Sequence, residues 1–156
     1  MDLVRRTLLK GMGSAGVLSA LLSAGLLTPT GAWAAEWNRA AFESKDVAAA
    51  LKAFGFSGSS ESKDVVIKTK DITENGAFVP VEVISNVPNT VSIAIVVEKN
   101  PFPLSVAFDF LNGALPEVSV RLKFAQTSNV KAVAKTSDGK YFHAQREVKT
   151  TVGGCG

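Results

Sequence analysis

Between Val65 and Val148 the apolar residues recur at every second position, in short runs separated by turn residues. Val65 and Ile67 form the first run, Val79, Val81 and Val83 the second, and Val91, Ile93, Ile95 and Val97 the third. Val106, Phe108 and Phe110 follow, then Val118, Val120, Leu122 and Phe124, then Val130 and Ala132, and last Phe142, Ala144 and Val148. A period of two sends successive side chains to opposite sides of an extended backbone, so each run predicts a strand with one buried and one wet face. The breaks carry turn chemistry: Glu74-Asn75-Gly76, Ser85-Asn86-Val87-Pro88-Asn89, Asn100-Pro101-Phe102-Pro103, Asn112-Gly113 with Pro116, and Ser137-Asp138-Gly139-Lys140. Asp138-Gly139 is the strongest hairpin signal, because both residues tolerate positive φ and so predict a type I′ turn.

Upstream of these runs the period lengthens. Val47, Leu51 and Phe54 lie at i, i+4 and i+7; Ser44 can cap, Asp46 falls in the first turn and Gly55 supplies the stop. This predicts a short N-terminal helix with Phe42 packed beside it, and "SGSSES" at 57–62 predicts a loop. A short helix before about seven strands at intervals of roughly ten residues predicts an all-β chain, an immunoglobulin-like antiparallel β-sandwich. A small closed barrel is the alternative arrangement of the same runs.

The first residues follow another pattern: a basic head of Arg5, Arg6 and Lys10, an apolar run from Gly11 to Leu27, and small residues around Ala32-Trp33-Ala34. That is the organisation of a secretory signal peptide cut between Ala34 and Ala35. Glycines and serines interrupt the run too often for a spanning helix, which needs about 20 strongly apolar residues. Arg5-Arg6 followed by Thr7-Leu8-Leu9-Lys10 resembles a twin-arginine (Tat) export motif, with Val4 and Leu8 departing from it. The expected organisation is a signal at 1–34, a sandwich domain at 35–149 and a C-terminal arm at 150–156, in a chain whose 156 residues suit one ordinary domain. The expected location is the periplasm after Tat export, with no membrane attachment once the signal is cut.

Charge changes the picture by what it excludes. The chain has 17 Lys and Arg against 14 Asp and Glu, and removing residues 1–34 takes away Arg5, Arg6, Lys10 and Asp2, leaving 14 against 13. A nearly neutral mature chain lacks the clustered basic face that nucleic acid requires. The one histidine, His143, sits in a strand beside Phe142 and Ala144 and is expected to face solvent. The carboxylates Asp64, Asp71, Glu74, Glu82, Glu98, Asp109, Glu117 and Glu147 are scattered over polar strand positions and turns. No metal-ligand spacing, phosphate-binding Gly-rich loop or Ser-His-Asp set can be assembled, so no cofactor, metal or catalytic residue is expected.

Cys155, the single cysteine, forbids an internal disulfide and stands in the closing stretch "VKTTVGGCG". Gly153, Gly154 and Gly156 leave its neighbours without side chains, so with Val152 they describe a slim, flexible arm able to enter a narrow cleft. Five or six extended residues reach roughly 15 to 20 Å. No cation or helix N-terminus beside the thiol in sequence favours the thiolate, and the carboxylate of Gly156 acts the other way, so activation has to come from whatever the arm enters. Such a chain reads as a carrier. The alternative is an exported structural or adhesion-type sandwich that uses Cys155 for an intermolecular disulfide.

The signal, the sandwich pattern and the ending together resemble the SoxY family, the sulfur-substrate carrier subunits of bacterial thiosulfate oxidation. The resemblance rests on "ITENGAFVPVEV" at 72–83, "IVVEKNPFPL" at 95–104, "VRLKFAQTSNVKAVAKTSDGKYF" at 120–142 and "VKTTVGGCG" at 148–156. It implies an immunoglobulin-like sandwich paired with a SoxZ subunit, and covalent attachment of sulfur intermediates at Cys155. It further implies transient docking with a SoxAX cytochrome that couples thiosulfate to the thiol, with a SoxB hydrolase that releases sulfate, and in some organisms with a SoxCD sulfur dehydrogenase. The family's usual ending is Gly-Gly-Cys-Gly-Gly; here one glycine follows Cys155, which brings the carboxylate closer to the sulfur.

Overall fold

A computed structural model describes residues 38–56 and 58–151. Two short helices come first, α1 (Arg39–Phe42) and α2 (Val47–Ala53). Nine strands follow: β1 (Ser60–Glu61), β2 (Val65–Thr69), β3 (Ile72–Thr73), β4 (Val79–Ser85), β5 (Thr90–Val97), β6 (Leu104–Asp109), β7 (Glu117–Leu122), β8 (Ser128–Thr136) and β9 (Tyr141–Thr150). The seven long ones are the seven runs read from the period of two. The helix begins later than its sequence signals suggest: Asp46, not Ser44, is the N-cap and accepts from the Ala49 N–H at 2.7 Å, while the Ser44 hydroxyl accepts from Asp46 N–H at 3.3 Å. A carboxylate two residues nearer the helix competes better for the first free N–H groups.

The long strands form two sheets. The smaller has the order β2-β4-β7, and the larger β1-β9-β8-β5-β6, with β3 also pairing β9. The pairs between long strands are antiparallel. Counted among long strands, the first, second and fifth share one sheet, and the seventh, sixth, third and fourth the other. This is the immunoglobulin-like partition, with the fourth strand beside the third. Inward-facing Val81, Val83, Ile93, Ile95, Val97, Phe124, Val130 and Val148 interdigitate between the sheets and are essentially inaccessible to water.

β5 departs from the expected alternation. Ser92 through Val97 are all buried, because Ala94 and Val96 face a second apolar cluster with Ala41, Ala50, Leu51, Phe56, Leu104 and Val133. The helices thus roof the outer face of the larger sheet, and a continuous apolar run is what a strand covered on both faces needs. Tyr141 ties the roof down by donating its hydroxyl to the Gly55 carbonyl at 2.6 Å.

The hairpin between β8 and β9 also differs from expectation. Gly139 has φ +80° but Asp138 does not have positive φ, and Gly139 N–H donates to the Thr136 carbonyl at 3.0 Å. This is a type I turn followed by a left-handed glycine, stabilised by Thr136 and Lys140, which both bond the Asp138 carboxylate. Consecutive positive φ occurs instead at Asn112 (55°) and Gly113 (75°), closed by Ala114 N–H on the Leu111 carbonyl at 3.1 Å.

Candidate functional site

The residues singled out as the working arm, Val152, Gly153, Gly154, Cys155 and Gly156, lie outside the described residues. So do the export residues Arg5 and Arg6 and the cleavage pair Ala34 and Ala35. What the structure describes is the root from which residues 152–156 depart. β9 runs on through Thr150, the first residue that the sequence pattern assigns to the arm.

β9 is held there from two sides. On one, β8 pairs with it as far as Ser128 with Val148, and the Thr127 hydroxyl then takes over. Thr127 Oγ1 accepts from Thr150 N–H at 3.0 Å and donates to the Thr150 carbonyl at 3.4 Å. On the other, β3 runs parallel to β9, matching Ile72 with Lys149 and Thr73 with Thr150. Lys149 N–H donates to the Asp71 carbonyl at 2.8 Å, and Thr151 Oγ1 donates to the Glu74 carbonyl at 3.2 Å. Thr73, Thr127 and Thr151 carried no signal in the sequence, because their partners are remote along the chain and a lone threonine has no period.

The strand directions put three connecting segments around this root: 70–78, which includes β3, and the loops 98–103 and 123–127. They are stitched together by Phe124 N–H on the Gly76 carbonyl at 2.7 Å, and by Asn100, which donates to the Lys123 carbonyl at 2.7 Å and accepts from Ala125 N–H at 2.9 Å. From Thr151 to Cys155 the chain spans four residues, at most about 14 Å when fully extended. Whatever engages Cys155 therefore approaches this end of the sandwich.

His143 is placed differently from the solvated position expected. It is half-buried and shares a 2.9 Å hydrogen bond between Nδ1 and Ser59 Oγ. Its register partner on β8 is Val133, which turns toward the roof, so the imidazole lies on the outer face of the larger sheet. Burial lowers its pKa first and the Lys131 charge next, while Glu61 and Ser59 act to raise it. Nearby, Val47, Leu51, Phe56, Ser59, Lys131 and Val133 line an open groove of about 590 Å³. Thr151 lies eight residue steps beyond His143, about 26 Å of extended chain. With at most about 14 Å of chain beyond Thr151, Cys155 cannot reach the imidazole while β9 is intact.

The carboxylates are dispersed, as the sequence implies. Asp71 pairs with Arg146 at 2.7 Å, Glu82 with Lys68 at 2.6 Å, and Glu147 lies 3.9 Å from Lys149. Among the described residues no three His, Cys, Asp or Glu side chains gather as a metal site would require.

The family model for the sulfur oxidation protein SoxY matches residues 51–155, from α2 to the cysteine itself. The chain belongs to the SoxY family. The solved structure of the sulfur carrier protein SoxY from Chlorobium limicola f thiosulfatophilum is 40% identical, across 66% of this chain and 94% of that one, with a TM-score of 0.60. A superoxide reductase (neelaredoxin) from Ignicoccus hospitalis, 19% identical over 64% of this chain and 86% of that one at a TM-score of 0.50, shares the fold alone. No curated protein matches. SoxY-family chains are sulfur-oxidation carriers, and the sandwich with its clamped C-terminal strand is the form that carrier takes here.

Proposed function

We propose that this chain is a periplasmic carrier of thiosulfate oxidation that holds sulfur intermediates covalently on Cys155 and presents them to partner enzymes, working in complex with a SoxZ-like subunit. The observation that carries the reading is the family match extending to Cys155, a lone thiol set four residues beyond a firmly held strand end. A rigid root with a side-chain-poor tail supplies reach and access. Activation of the thiol and the chemistry itself belong to the partners.

Loading joins the Cys155 thiol and thiosulfate in a sulfur–sulfur bond, giving the S-thiosulfonate, one proton and two electrons; a SoxAX-type cytochrome takes the electrons. A SoxB-type hydrolase then adds water across the sulfane–sulfone bond, releasing sulfate and two protons and leaving a persulfide on Cys155. That persulfide is the substrate of a SoxCD-type dehydrogenase where one is present. Export through a Tat signal at residues 1–34 delivers the folded chain to the compartment of these partners.

Intact-mass spectrometry of the protein isolated from thiosulfate-grown cells tests the reading. Sulfur or thiosulfonate adducts localised to Cys155 are expected. A population of unmodified thiol or plain disulfide dimer under those conditions would sink it.

A further inference from the structure

We infer that Arg146 and Asp71 are positioning residues for Cys155: their ion pair holds β3 against β9 and so fixes the point from which residues 152–156 depart. The inference rests on the proposed function for what Cys155 carries, and adds the device that aims it.

β3 has little of its own to keep it in place. It is two residues long, pairs with β9 alone, and lies in the link between β2 and β4, two strands of the other sheet. Ile72 is 63% exposed and Thr73 half-exposed, so no buried side chain anchors the segment. It is joined to β9 by main-chain bonds such as Lys149 N–H on the Asp71 carbonyl at 2.8 Å and Thr151 N–H on the Thr73 carbonyl at 3.1 Å. A few exposed hydrogen bonds gain no more than the entropy lost in ordering the link that makes them.

The Arg146 guanidinium supplies what is missing. Its Nε and Nη2 meet Asp71 Oδ1 at 2.9 and 2.7 Å, and its Nη1 donates to the Ile67 carbonyl at 3.3 Å. Ile67 belongs to β2, so one side chain ties the start of the link both to the strand it leaves and to the strand it must reach. Donors fixed in several directions within one plane are a property of guanidinium that an ammonium lacks. Asp71 in turn works from both ends, its carboxylate on Arg146 and its carbonyl on Lys149 N–H. The far end of the link is held separately, by Phe124 N–H on the Gly76 carbonyl.

The other ion pairs do not bear on this point. Lys68 with Glu82 joins neighbouring strands of the smaller sheet, Lys140 with Asp138 lies within one turn, and Lys149 with Glu147 within one strand. Among the described residues, Arg146 with Asp71 is the one ion pair that ties a connecting segment to β9.

Without β3, the last ladder pair on β9 is Val148 with Ser128, and beyond it the Thr127 hydroxyl alone holds Thr150. The tether to Cys155 then lengthens from the four residues after Thr151 toward the seven after Val148. The local concentration of a tethered group falls as the −3/2 power of tether length or more steeply, here about twofold. Its spatial spread grows as the square root, about 1.3-fold.

The test uses the mature chain with Asp71→Asn or Arg146→Gln, each of which removes the pair, and Lys68→Gln as control. Exposed ion pairs contribute little to stability, so the variants fold. Amide exchange at Lys149–Thr151 is expected to quicken, and the distance distribution between nitroxides on Cys155 and on Glu117→Cys to widen about 1.3-fold. The KM of a SoxB-type hydrolase of the same organism for the thiosulfonate-loaded carrier should rise about twofold with kcat unchanged, because aim is shared by ground and transition states. Arg146→Gln/Asp71→Asn should change each reading no more than Arg146→Gln alone, since both residues act through one pair. A pair with a structural role only would lower the melting temperature and leave the distance distribution and KM at their wild-type values. That result overturns the inference, as do additive effects in the double variant or equal changes in Lys68→Gln. If Cys155 takes no sulfur adduct while exchange and distance respond as stated, the carrier reading fails and the positioning role stands. If adducts form and neither responds, the positioning role fails and the carrier reading stands.

Discussion

The backbone N–H of Thr151 donates to the carbonyl of Thr73 at 3.1 Å, which carries the hold on β9 one residue past its last ladder pair, Thr73 with Thr150. The distance available to Cys155 is therefore measured from a fixed point.

Loosening that point has a definite cost. Thr127→Val keeps the shape of the side chain and removes both of its hydrogen bonds to Thr150. The expected loss is about 1 kcal/mol of stability, with faster amide exchange confined to Lys149–Thr151. Denaturant unfolding and exchange mass spectrometry check it; unchanged exchange at these three residues would show that β3 alone suffices.

Cys155→Ser is expected to leave unfolding within about 0.5 kcal/mol of wild type, the usual range for substitutions outside the core, while abolishing thiosulfate-dependent activity of the reconstituted system. A marked drop in thermal stability would contradict the proposed role of residues 150–156 as a carrier arm.

At the β8–β9 hairpin, Gly139→Ala meets no atom within 4 Å, so its effect isolates the strain of φ +80°. A loss of about 1 kcal/mol is expected. In the same turn, Lys140 first and Thr136 second hold the Asp138 carboxyl down from 3.8 to about 2. A depressed carboxylate contributes stability that is present above its ordinary pKa and is lost as pH falls through the folded value. The hairpin's acid sensitivity therefore lies between about pH 4 and 2, and Asp138→Asn should remove it; an NMR titration of Asp138 with a midpoint near 4 would refute this.

His143 works in the other direction. Its folded pKa is below its ordinary 6.5, chiefly through burial, so the unfolded chain binds the proton more readily. Stability is full above pH 6.5 and declines as pH falls from there to the folded pKa, below which the loss is complete. Denaturant midpoints measured from pH 7.5 to 5 should show this slope, and His143→Gln should flatten it. A wild-type curve level across that range would argue against the half-buried setting of the imidazole.

The sandwich was legible because burial and period coincide along most of the chain: Val79, Val81 and Val83 alternate with exposed or half-exposed Pro80 and Glu82, and they are the core. β5 misled where its surroundings did. Ala94 and Val96 belong to a second layer supplied by Ala50, Leu51 and Phe56 some forty residues earlier, and a local period cannot report a remote roof. β5 is moreover an interior strand between β8 and β6, so the aliphatic stretch at 90–98 offers no edge to a partner. The turn type failed for a similar reason. Asp138-Gly139 suits a type I′ turn, but Thr136 and Lys140 both claim the Asp138 carboxylate and settle another geometry. As for the candidate site, Cys155 stood out through the poverty of its neighbours, whereas its anchoring threonines pair across gaps of 23 and 77 residues and left no trace in sequence.

Arg146 joins the two sheets through Ile67 and Asp71 on one side of the sandwich only. The body is thus hinged rather than evenly sealed: thermal opening should start as a gap between β6 and β7 and spread toward a spine formed by β9, β3 and β2. Amide exchange in the native state should follow that order, with the β6 and β7 amides released well before those of Lys149 and Thr150. The strand from which residues 152–156 depart is then the last part of the molecule to come loose, so the sandwich can open at β6 and β7 while that root keeps its place.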